Sequence, residues 1–268
     1  MTAKQIGGPR RVTIVGSGVI GTSWTALFLA QGLAVTATDP GAGAEQRLRE
    51  SVERLWPVLE RLGTAADASP DRLSFTTNLA KSLEQADFVQ ENAPEKRIDK
   101  QRLIQAIDGA TRPGVVIASS SSGLLPSELQ MLCEREPGRV LVGHPFHPPH
   151  LMPLVEVVGG QHTDESAIDK AMAFYRALGK RPIRIRRELP GHVANRLQAA
   201  LWREAFSLVE DLEYGARLAL AGTRVVYADE AHVYGEMVTS ATASESQRRR
   251  WEGGRLLAAR MLDRKSVV

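Results

Sequence analysis

The sequence predicts an α/β fold in which helices cover both faces of a doubly wound, mostly parallel sheet. Short apolar runs alternate with longer segments of helical spacing from residue 12 to residue 186. A glycine-rich turn directly follows the first apolar run. The chain has 268 residues, 43% apolar and 24% charged, which is ample for a hydrophobic core and typical of a globular protein. Alternating strands and helices favour a parallel sheet between two helical layers.

Eight short apolar runs are predicted as strands because each is bounded by turn or polar residues. They cover residues 12–15, 33–38, 73–76, 87–90, 115–119, 140–143, 154–158 and 182–186. Helical spacing predicts helices directly after the glycine-rich turn and over residues 44–62, 96–107, 126–135, 165–178 and 193–209. Pro57 is expected to kink or split its helix, because proline lacks an N–H donor.

Charge and composition exclude several classes of protein. Lys plus Arg is 34 and Asp plus Glu is 31, and a net charge of +3 is too small to predict a nucleic-acid partner. No apolar stretch reaches the length of about 18 residues that a membrane helix needs. The polar start of the chain has no apolar signal core, so a cytoplasmic location is expected. Cys133 is expected to be a buried or half-buried free thiol, and no metal site is predicted.

The glycine-rich turn has the spacing of a dinucleotide-binding turn. Gly16, Gly18 and Gly21 stand between a predicted strand and a predicted helix. The first glycine permits the tight turn, the second lets the backbone approach a pyrophosphate, and the third lets the helix pack on the strand. The helix start at Val19 and Ile20 offers unpaired N–H groups and a positive dipole end to the phosphates.

Asp39 closes the second predicted strand, 18 positions after the third glycine. A carboxylate at this position accepts hydrogen bonds from the ribose hydroxyls and repels a 2′-phosphate. No arginine follows Asp39 within seven residues. The sequence therefore predicts a Rossmann-type domain that takes NAD in preference to NADP.

His144 and Glu156 form a candidate acid–base pair. His144 follows the apolar run 140–143, which places it at the carboxyl end of a strand, where ligands bind in such sheets. Glu156 lies inside a later apolar run, where a carboxylate needs a partner to offset its desolvation. We expect the carboxylate to fix the imidazole tautomer and the ring to take a proton near neutral pH. When this strand is considered without the glycine-rich turn, the alternative is that Glu156 is a solvated residue at the edge of the sheet and has no role in catalysis.

Two further polar residues are candidate substrate contacts. Ser122 ends a run of four serines that closes a predicted strand, and its hydroxyl either binds a substrate oxygen or belongs to an ordinary loop. Asn195 begins a predicted helix, and its amide is either a cap or a substrate contact. Spacing along the sequence leaves both alternatives open.

The motifs around these residues resemble the 3-hydroxyacyl-CoA dehydrogenase family. The similar segments lie at residues 16–21, 39, 90–95, 119–122, 143–146, 154–156 and 190–196, and the resemblance runs from about residue 10 to residue 208. Within the family, residues 56–60, 86–95 and 172–182 are most similar to the L-carnitine 3-dehydrogenase branch.

The resemblance implies a reaction and a role for each candidate residue. The reaction would be NAD-dependent oxidation of the secondary alcohol of a small-molecule 3-hydroxy acid, either L-carnitine or a 3-hydroxyacyl-CoA. His144 would be the general base and Glu156 would hold it. Ser122 and Asn195 would contact the reacting oxygen. Glu91, at a strand end, would lie near the nicotinamide side of the cofactor.

Carnitine carries a quaternary ammonium, which favours contact with aromatic rings. Phe146, Trp56 and Trp202 are the candidate contacts, and ordinary core packing is the alternative for each. The predicted helix over residues 44–62 has no lysine for a CoA phosphate, although it has four arginines. The sequence therefore favours carnitine over CoA without deciding between them.

The alternation of strands and helices ends at about residue 189. Residues 210–218, 222–231 and 247–251 instead resemble the end of a family 2 glycosyltransferase, where Glu210 and Asp211 would supply the catalytic base. We predict an NAD-binding Rossmann domain over residues 1–188, the first helix of the dehydrogenase C-terminal domain over 189–209, and a glycosyltransferase-like fragment or tail over 210–268. The resemblance implies a homodimer, which a truncated helical domain would put in doubt.

Three hypotheses about function follow from the sequence. An NAD-dependent dehydrogenase accounts for about 200 residues, from about residue 10 to residue 208. The alternative is a catalytically impaired dinucleotide-binding module of a truncated or fused chain. A glycosyltransferase fragment ranks last, because the nucleotide-sugar half and its metal site are absent from the sequence.

Overall fold

The structure, a computed structural model, describes residues 8–209 and is built around an eight-stranded sheet. The strands are β1 (Arg11–Val15), β2 (Ala34–Thr38), β3 (Leu73–Thr76), β4 (Phe88–Glu91), β5 (Val116–Ser119), β6 (Val140–Pro145), β7 (Leu154–Gly159) and β8 (Arg181–Ile185). Their order in the sheet is β3-β2-β1-β4-β5-β6-β7-β8. All neighbours are parallel except β6 and β7, which are antiparallel. The predicted doubly wound, mostly parallel sheet is confirmed.

Seven α-helices accompany the sheet in the described part of the chain. They are α1 (Val19–Ala30), α2 (Ala44–Leu62), α3 (Leu79–Leu83), α4 (Arg97–Ala110), α5 (Pro126–Gln130), α6 (Glu165–Ala177) and α7 (Ala194–Val209). The sequence did not predict α3, because five residues are too few for helical periodicity to show. Pro57 lies inside α2 without splitting it. The carbonyl of the exposed Glu53, four residues earlier, can bond to water in place of the missing N–H.

The two faces of the sheet bury separate apolar clusters. Alternate residues of a strand point to opposite faces, and Ile14 and Val15 of β1 accordingly belong to different clusters. One cluster packs α1 and α6 on the sheet, with stacked Phe88 and Phe174 rings whose centroids are 4.2 Å apart. The other cluster packs α4 on the opposite face. Burial on both faces explains why the strands read as apolar runs without alternation.

The carboxyl ends of β1, β4, β5 and β6 lie at one edge of the sheet, because these strands are parallel. The antiparallel β7 then sets Glu156 directly opposite His144 on β6. The described chain up to Asn195 forms one compact unit, and this edge lies within it. The domain boundaries proposed from the sequence stay a prediction, and residues 210–268, with their glycosyltransferase resemblance, lie outside the described residues.

Other predictions about the chain concern membranes, metals and the cysteine. Between residues 8 and 209, no helix is long and apolar enough to cross a membrane. The same residues contain no group of three or more His, Cys, Asp or Glu side chains that could hold a metal ion. Cys133 is a free, half-buried thiol, as expected, and burial raises its pKa to about 12. A thiol with so high a pKa is a poor nucleophile near neutral pH.

Candidate active site

The glycine-rich turn connects β1 to α1 with very close backbone contacts. Gly16 has φ +87, and a Cβ built on it would lie 3.0 Å from the backbone nitrogen of Ala93. A Cβ on Gly21 would lie 1.9 Å from the carbonyl oxygen of Gly16, so only glycine allows α1 to approach the turn this closely. A Cβ on Gly18, by contrast, would meet no atom within 4 Å. The second glycine therefore borders open space.

The first turn of α1 faces this open space without a side-chain cap. Gly18 is the N-cap, and no side chain accepts a hydrogen bond from the helix start. Val19 is 71% exposed, while Ile20 packs against the core. The uncapped N–H groups and the positive helix end suit an anionic phosphate. These features are compatible with the pyrophosphate of NAD, and contact between these residues and the cofactor stays a prediction.

Asp39 directly follows β2 and is held by the turn itself. Its Oδ2 accepts hydrogen bonds from the backbone N–H and the hydroxyl of Ser17, at 2.8 and 2.9 Å. Its Oδ1 accepts one from the N–H of Gly41 at 2.8 Å. Burial alone raises the pKa of Asp39, but these hydrogen bonds and the nearby Arg47 outweigh it and lower the pKa. The carboxylate is therefore anionic and fixed in place, and its contact with the ribose of a cofactor stays a prediction.

Glu91, at the end of β4, is fully buried. Its carboxylate pairs with the buried Lys100 at 3.0 Å and accepts a hydrogen bond from Ser119 at 2.5 Å and another from the N–H of Ala93 at 2.6 Å. The side chain therefore fixes the loop after β4 to α4 and to the end of β5. Contact between Glu91 and the nicotinamide side of the cofactor stays a prediction.

His144 and Glu156 are cross-strand partners on β6 and β7 and lie in contact. His144 Nδ1 is 2.9 Å from Glu156 Oε2, His144 is 6% exposed and Glu156 is fully buried. The other carboxylate oxygen, Oε1, accepts hydrogen bonds from the N–H groups of Val193 and Ala194 at 3.0 and 2.9 Å. The expectation of a partnered Glu156, in place of a solvated edge residue, agrees with this geometry.

The carboxylate of Glu156 determines the tautomer of His144. Burial by itself raises the pKa of Glu156, but the hydrogen bonds from His144, Ala194 and Val193 outweigh it and lower the pKa. An anionic carboxylate only accepts hydrogen bonds, so His144 Nδ1 carries the proton that it donates. His144 Nε2 is then the basic nitrogen, and no described residue hydrogen-bonds to it. This arrangement can take a proton at Nε2 and stabilise the imidazolium that results.

The serine loop after β5 carries Ser122 and is organised by Glu95. Glu95 Oε1 accepts a hydrogen bond from the Ser121 hydroxyl at 2.5 Å and from the N–H groups of Ser122, Gly123 and Leu124 at 2.9–3.2 Å. Ser122 itself is exposed, and Asn195 Nδ2 donates to its carbonyl oxygen at 3.4 Å. The structure thus brings Ser122 and Asn195 together. Sequence reasoning missed the role of Glu95, although Glu95 ends one of the family motifs.

His192 is a second residue that sequence reasoning missed. Its ring lies 5.1 Å from the ring of His144, and its Nε2 is 3.0 Å from the carbonyl oxygen of Ser121. It is fully buried, has φ +52, and its Nδ1 has no hydrogen-bond partner among the described residues. Burial is the largest influence and lowers its pKa, so the ring is neutral near pH 7. The segment of His192 therefore links the serine loop to the amides that hold Glu156.

Of the three aromatic candidates, one lies against the histidine. Phe146 packs edge-on to His144, with ring centroids 5.1 Å apart. Trp56 packs against the core, as its alternative interpretation expected. Trp202 lies on α7, beyond the compact unit that contains the site.

The open space at Gly18 gives a prediction about cofactor binding. Gly18→Ala is expected to fold like the wild type, because φ is −64 and no atom lies within 4 Å of the new methyl group. The methyl group would occupy the space that a pyrophosphate needs, so the Kd for NAD is expected to rise by about tenfold or more. Calorimetric titration with NAD, together with thermal melting, measures both effects.

Gly109→Ala is the matched control for Gly18→Ala. A Cβ on Gly109, within α4, also meets no atom within 4 Å. This variant is expected to bind NAD like the wild type. Unchanged NAD affinity in Gly18→Ala would show that the cofactor does not lie on the turn.

Comparison with known proteins agrees with this geometry. Residues 11–189 match the family model described as the NAD binding domain of 3-hydroxyacyl-CoA dehydrogenase. The L-carnitine dehydrogenase of Streptomyces coelicolor is 52% identical over 78% of this chain and 65% of its own length. The L-carnitine dehydrogenase of Bacillus cereus is 48% identical over 75% of this chain and 62% of its own length. The chain thus spans less than two thirds of the length of these relatives.

A solved structure shows the same architecture. The (S)-3-hydroxybutyryl-CoA dehydrogenase of Ralstonia eutropha superimposes with a TM-score of 0.69 and 28% identity. The superposition covers 76% of this chain and 72% of that chain. NAD is the cofactor of the matched domain, and the glycine turn and Asp39 suit it.

Proposed function

The chain belongs to the 3-hydroxyacyl-CoA dehydrogenase family, and we propose that it oxidises the secondary alcohol of a 3-hydroxy acid with NAD. The observation that carries the proposal is the buried His144–Glu156 pair, which lies on the strand edge where the glycine turn opens. The parallel order of β1, β4, β5 and β6 puts the base and the cofactor turn at the same end of the sheet. A base beside a dinucleotide site is what alcohol oxidation needs.

In the proposed reaction His144 is the general base. Its Nε2 accepts the proton of the substrate hydroxyl as the O–H bond breaks, and Glu156 stabilises the imidazolium that forms. When bound, NAD supplies a nicotinamide carbon that accepts the hydride from the carbinol carbon. The alcohol thereby loses two electrons and two hydrogens and becomes a ketone. The fixed Nδ1–H donation to Glu156 keeps Nε2 free for this step.

Ser122 and Asn195 complete the proposed site as contacts for the reacting oxygen. Ser122 is exposed, and Asn195 is half-buried beside it. A hydroxyl and an amide N–H can both donate to an oxygen that becomes more negative as the proton leaves. Glu95 holds the serine loop in the conformation that presents Ser122.

L-carnitine is the proposed substrate, in preference to a 3-hydroxyacyl-CoA. Identity of 48–52% to enzymes named L-carnitine dehydrogenase exceeds the 28% to a named 3-hydroxybutyryl-CoA dehydrogenase. Phe146 packs against His144 with ring centroids 5.1 Å apart, so it would supply an aromatic ring near a quaternary ammonium bound beside the base. The cytoplasmic location and the homodimer stay predictions.

The substrate is tested by following NADH absorbance with L-carnitine and with (S)-3-hydroxybutyryl-CoA on one preparation. NAD binding is titrated on the same preparation. We expect NADH formation with L-carnitine and a kcat/KM at least about a hundredfold lower with the CoA ester, a difference of about 2.7 kcal/mol in transition-state stabilisation. Faster turnover of the CoA ester would contradict the choice of substrate.

A dinucleotide-binding module with little turnover is the second candidate function. It would rest on the glycine-rich turn and the uncapped start of α1, which do not involve His144 or Glu156. NAD binding without NADH formation from either substrate would support this candidate. NADH formation at ordinary enzyme rates, about 1 per second or more, would exclude it.

A further inference from the structure

Arg47 lies beside the carboxylate that selects NAD. It is in the first turn of α2, which folds back over the loop that follows Asp39. Its Nη1 donates to the carbonyl oxygen of Ala42 at 2.7 Å. A Cβ built on Gly41 would lie 3.0 Å from Asp39 Oδ1 and 3.7 Å from Arg47 Nη2. The carboxylate and the guanidinium therefore border the same small space.

Most hydrogen-bond donors of the Arg47 guanidinium have no partner among the described residues. Within residues 8–209 it forms no ion pair, and its side chain makes one hydrogen bond, to Ala42. On the same helix Arg49 pairs with Glu45 at 2.8 Å, and Arg54, like Arg47, makes a single hydrogen bond, to Ser51 at 2.7 Å. Arginine presents five donors in a planar fork that suits phosphate. Nε and Nη2 of Arg47 remain available for an anion.

The amino-terminal end of α2 adds a positive electrostatic potential near Asp39 and Arg47. Its N-cap, Gly43, has φ 68, and no side chain caps the helix. The positive end of the helix dipole therefore faces the loop. Glu45 is the acidic residue of the first turn, but Arg49 pairs with it.

We infer that Arg47 is a latent contact for a 2′-phosphate, so that Asp39 alone makes the domain prefer NAD over NADP. The negative charge of Asp39 repels a 2′-phosphate, whereas the adjacent guanidinium would bind it. The sequence criterion missed Arg47 because it counted residues along the chain. The turn at Pro40 to Gly43 and the first turn of α2 bring Arg47 back to the carboxylate. This inference concerns the cofactor and does not depend on the proposed substrate.

The test measures NAD and NADP binding by calorimetric titration of the full chain. Asp39→Ser is expected to lower the Kd for NADP at least about tenfold, because the repelling charge is gone. In that background Arg47→Ala is expected to remove most of the gain. Arg54→Ala, a matched arginine removal on the same helix, is expected to retain it. Raising the salt concentration should weaken the gain, since it rests on a charge–phosphate contact.

Equal NADP affinity of Asp39→Ser with and without Arg47 would overturn the inference. An equal loss on Arg54→Ala would overturn it too, because general positive charge would then suffice. If thermal melting shows that Asp39→Ser is unfolded, Asp39→Asn replaces it, since asparagine keeps the size and the acceptor oxygen. Absence of alcohol oxidation, with the expected NADP binding, would count against the proposed function and not against Arg47.

Discussion

Replacing His144 by glutamine is expected to lower kcat for alcohol oxidation by about a thousandfold, while the Kd for NAD changes less than about threefold. General bases contribute about a hundredfold to ten-thousandfold to catalysis, and the side-chain amide of glutamine cannot accept the proton that an imidazole nitrogen would take. NAD binding is spared because His144 lies on β6 and the glycine turn follows β1. Initial rates of NADH formation and calorimetric titration with NAD measure the two effects.

His162→Gln is the matched control for the loss of His144. His162 is an exposed histidine beyond the end of β7, so its replacement is expected to leave kcat unchanged. Wild-type turnover by His144→Gln would contradict the assignment of the base. Loss of NAD binding together with turnover would instead indicate that the edge of the sheet had rearranged.

Replacing Glu156 by glutamine is expected to reduce both turnover and stability. The neutral amide would not stabilise protonated His144 as the negatively charged carboxylate does, so kcat should fall by about a hundredfold. The buried carboxylate also accepts two backbone N–H groups, and losing its charge is expected to lower the free energy of unfolding by about 2 kcal/mol. Urea unfolding and initial rates measure these changes.

The stabilising effect of Glu156 should depend on pH in a defined direction. Burial alone raises its pKa, but the hydrogen bonds from His144, Ala194 and Val193 bring it below the usual 4.5. A lowered pKa in the folded state stabilises the fold above the unfolded pKa and ceases to do so as pH falls through the folded pKa. The stability difference between wild type and Glu156→Gln is therefore expected to be full at pH 7 and to shrink below about pH 4.5.

Glu165→Gln is a suitable control for these measurements. Glu165 is a surface glutamate that pairs with Arg184 and has no contact with the site. Its replacement is expected to leave turnover unchanged and to affect stability less than Glu156→Gln. A stability difference for Glu156→Gln that grows toward low pH would contradict the hydrogen-bonded, anionic carboxylate.

The sequence predicted the sheet well because both of its faces are buried. Strands such as β5, with four buried residues in succession, stand out as apolar runs between polar turns. The glycine turn was equally predictable, because steric contact at Gly16 and Gly21 leaves no other residue possible there. The short helix α3 carries too few turns to show a period, although the Asn78 side chain caps its start by accepting a hydrogen bond from the N–H of Lys81.

The candidate site was predictable where one strand faces another. The twelve-residue separation of His144 and Glu156 places them opposite each other once β6 and β7 form an antiparallel pair. Contacts made by loops were not predictable. Glu95 and His192 act through backbone groups of the serine loop, and no pattern of residue types records which amides a carboxylate will meet. Arg47 was missed for a different reason, because it stands eight residues after Asp39 and the sequence criterion covered only seven.

The proton and hydride steps are tested together by isotope transfer from L-carnitine deuterated at the carbinol carbon. Mass spectrometry of the reduced cofactor is expected to show one deuterium per turnover in the wild type, with the ketone as the other product. The same assay on His144→Gln should give deuterated cofactor at a rate about a thousandfold lower. Ketone formation without deuterium in the cofactor would contradict direct hydride transfer at a site where His144 is the base.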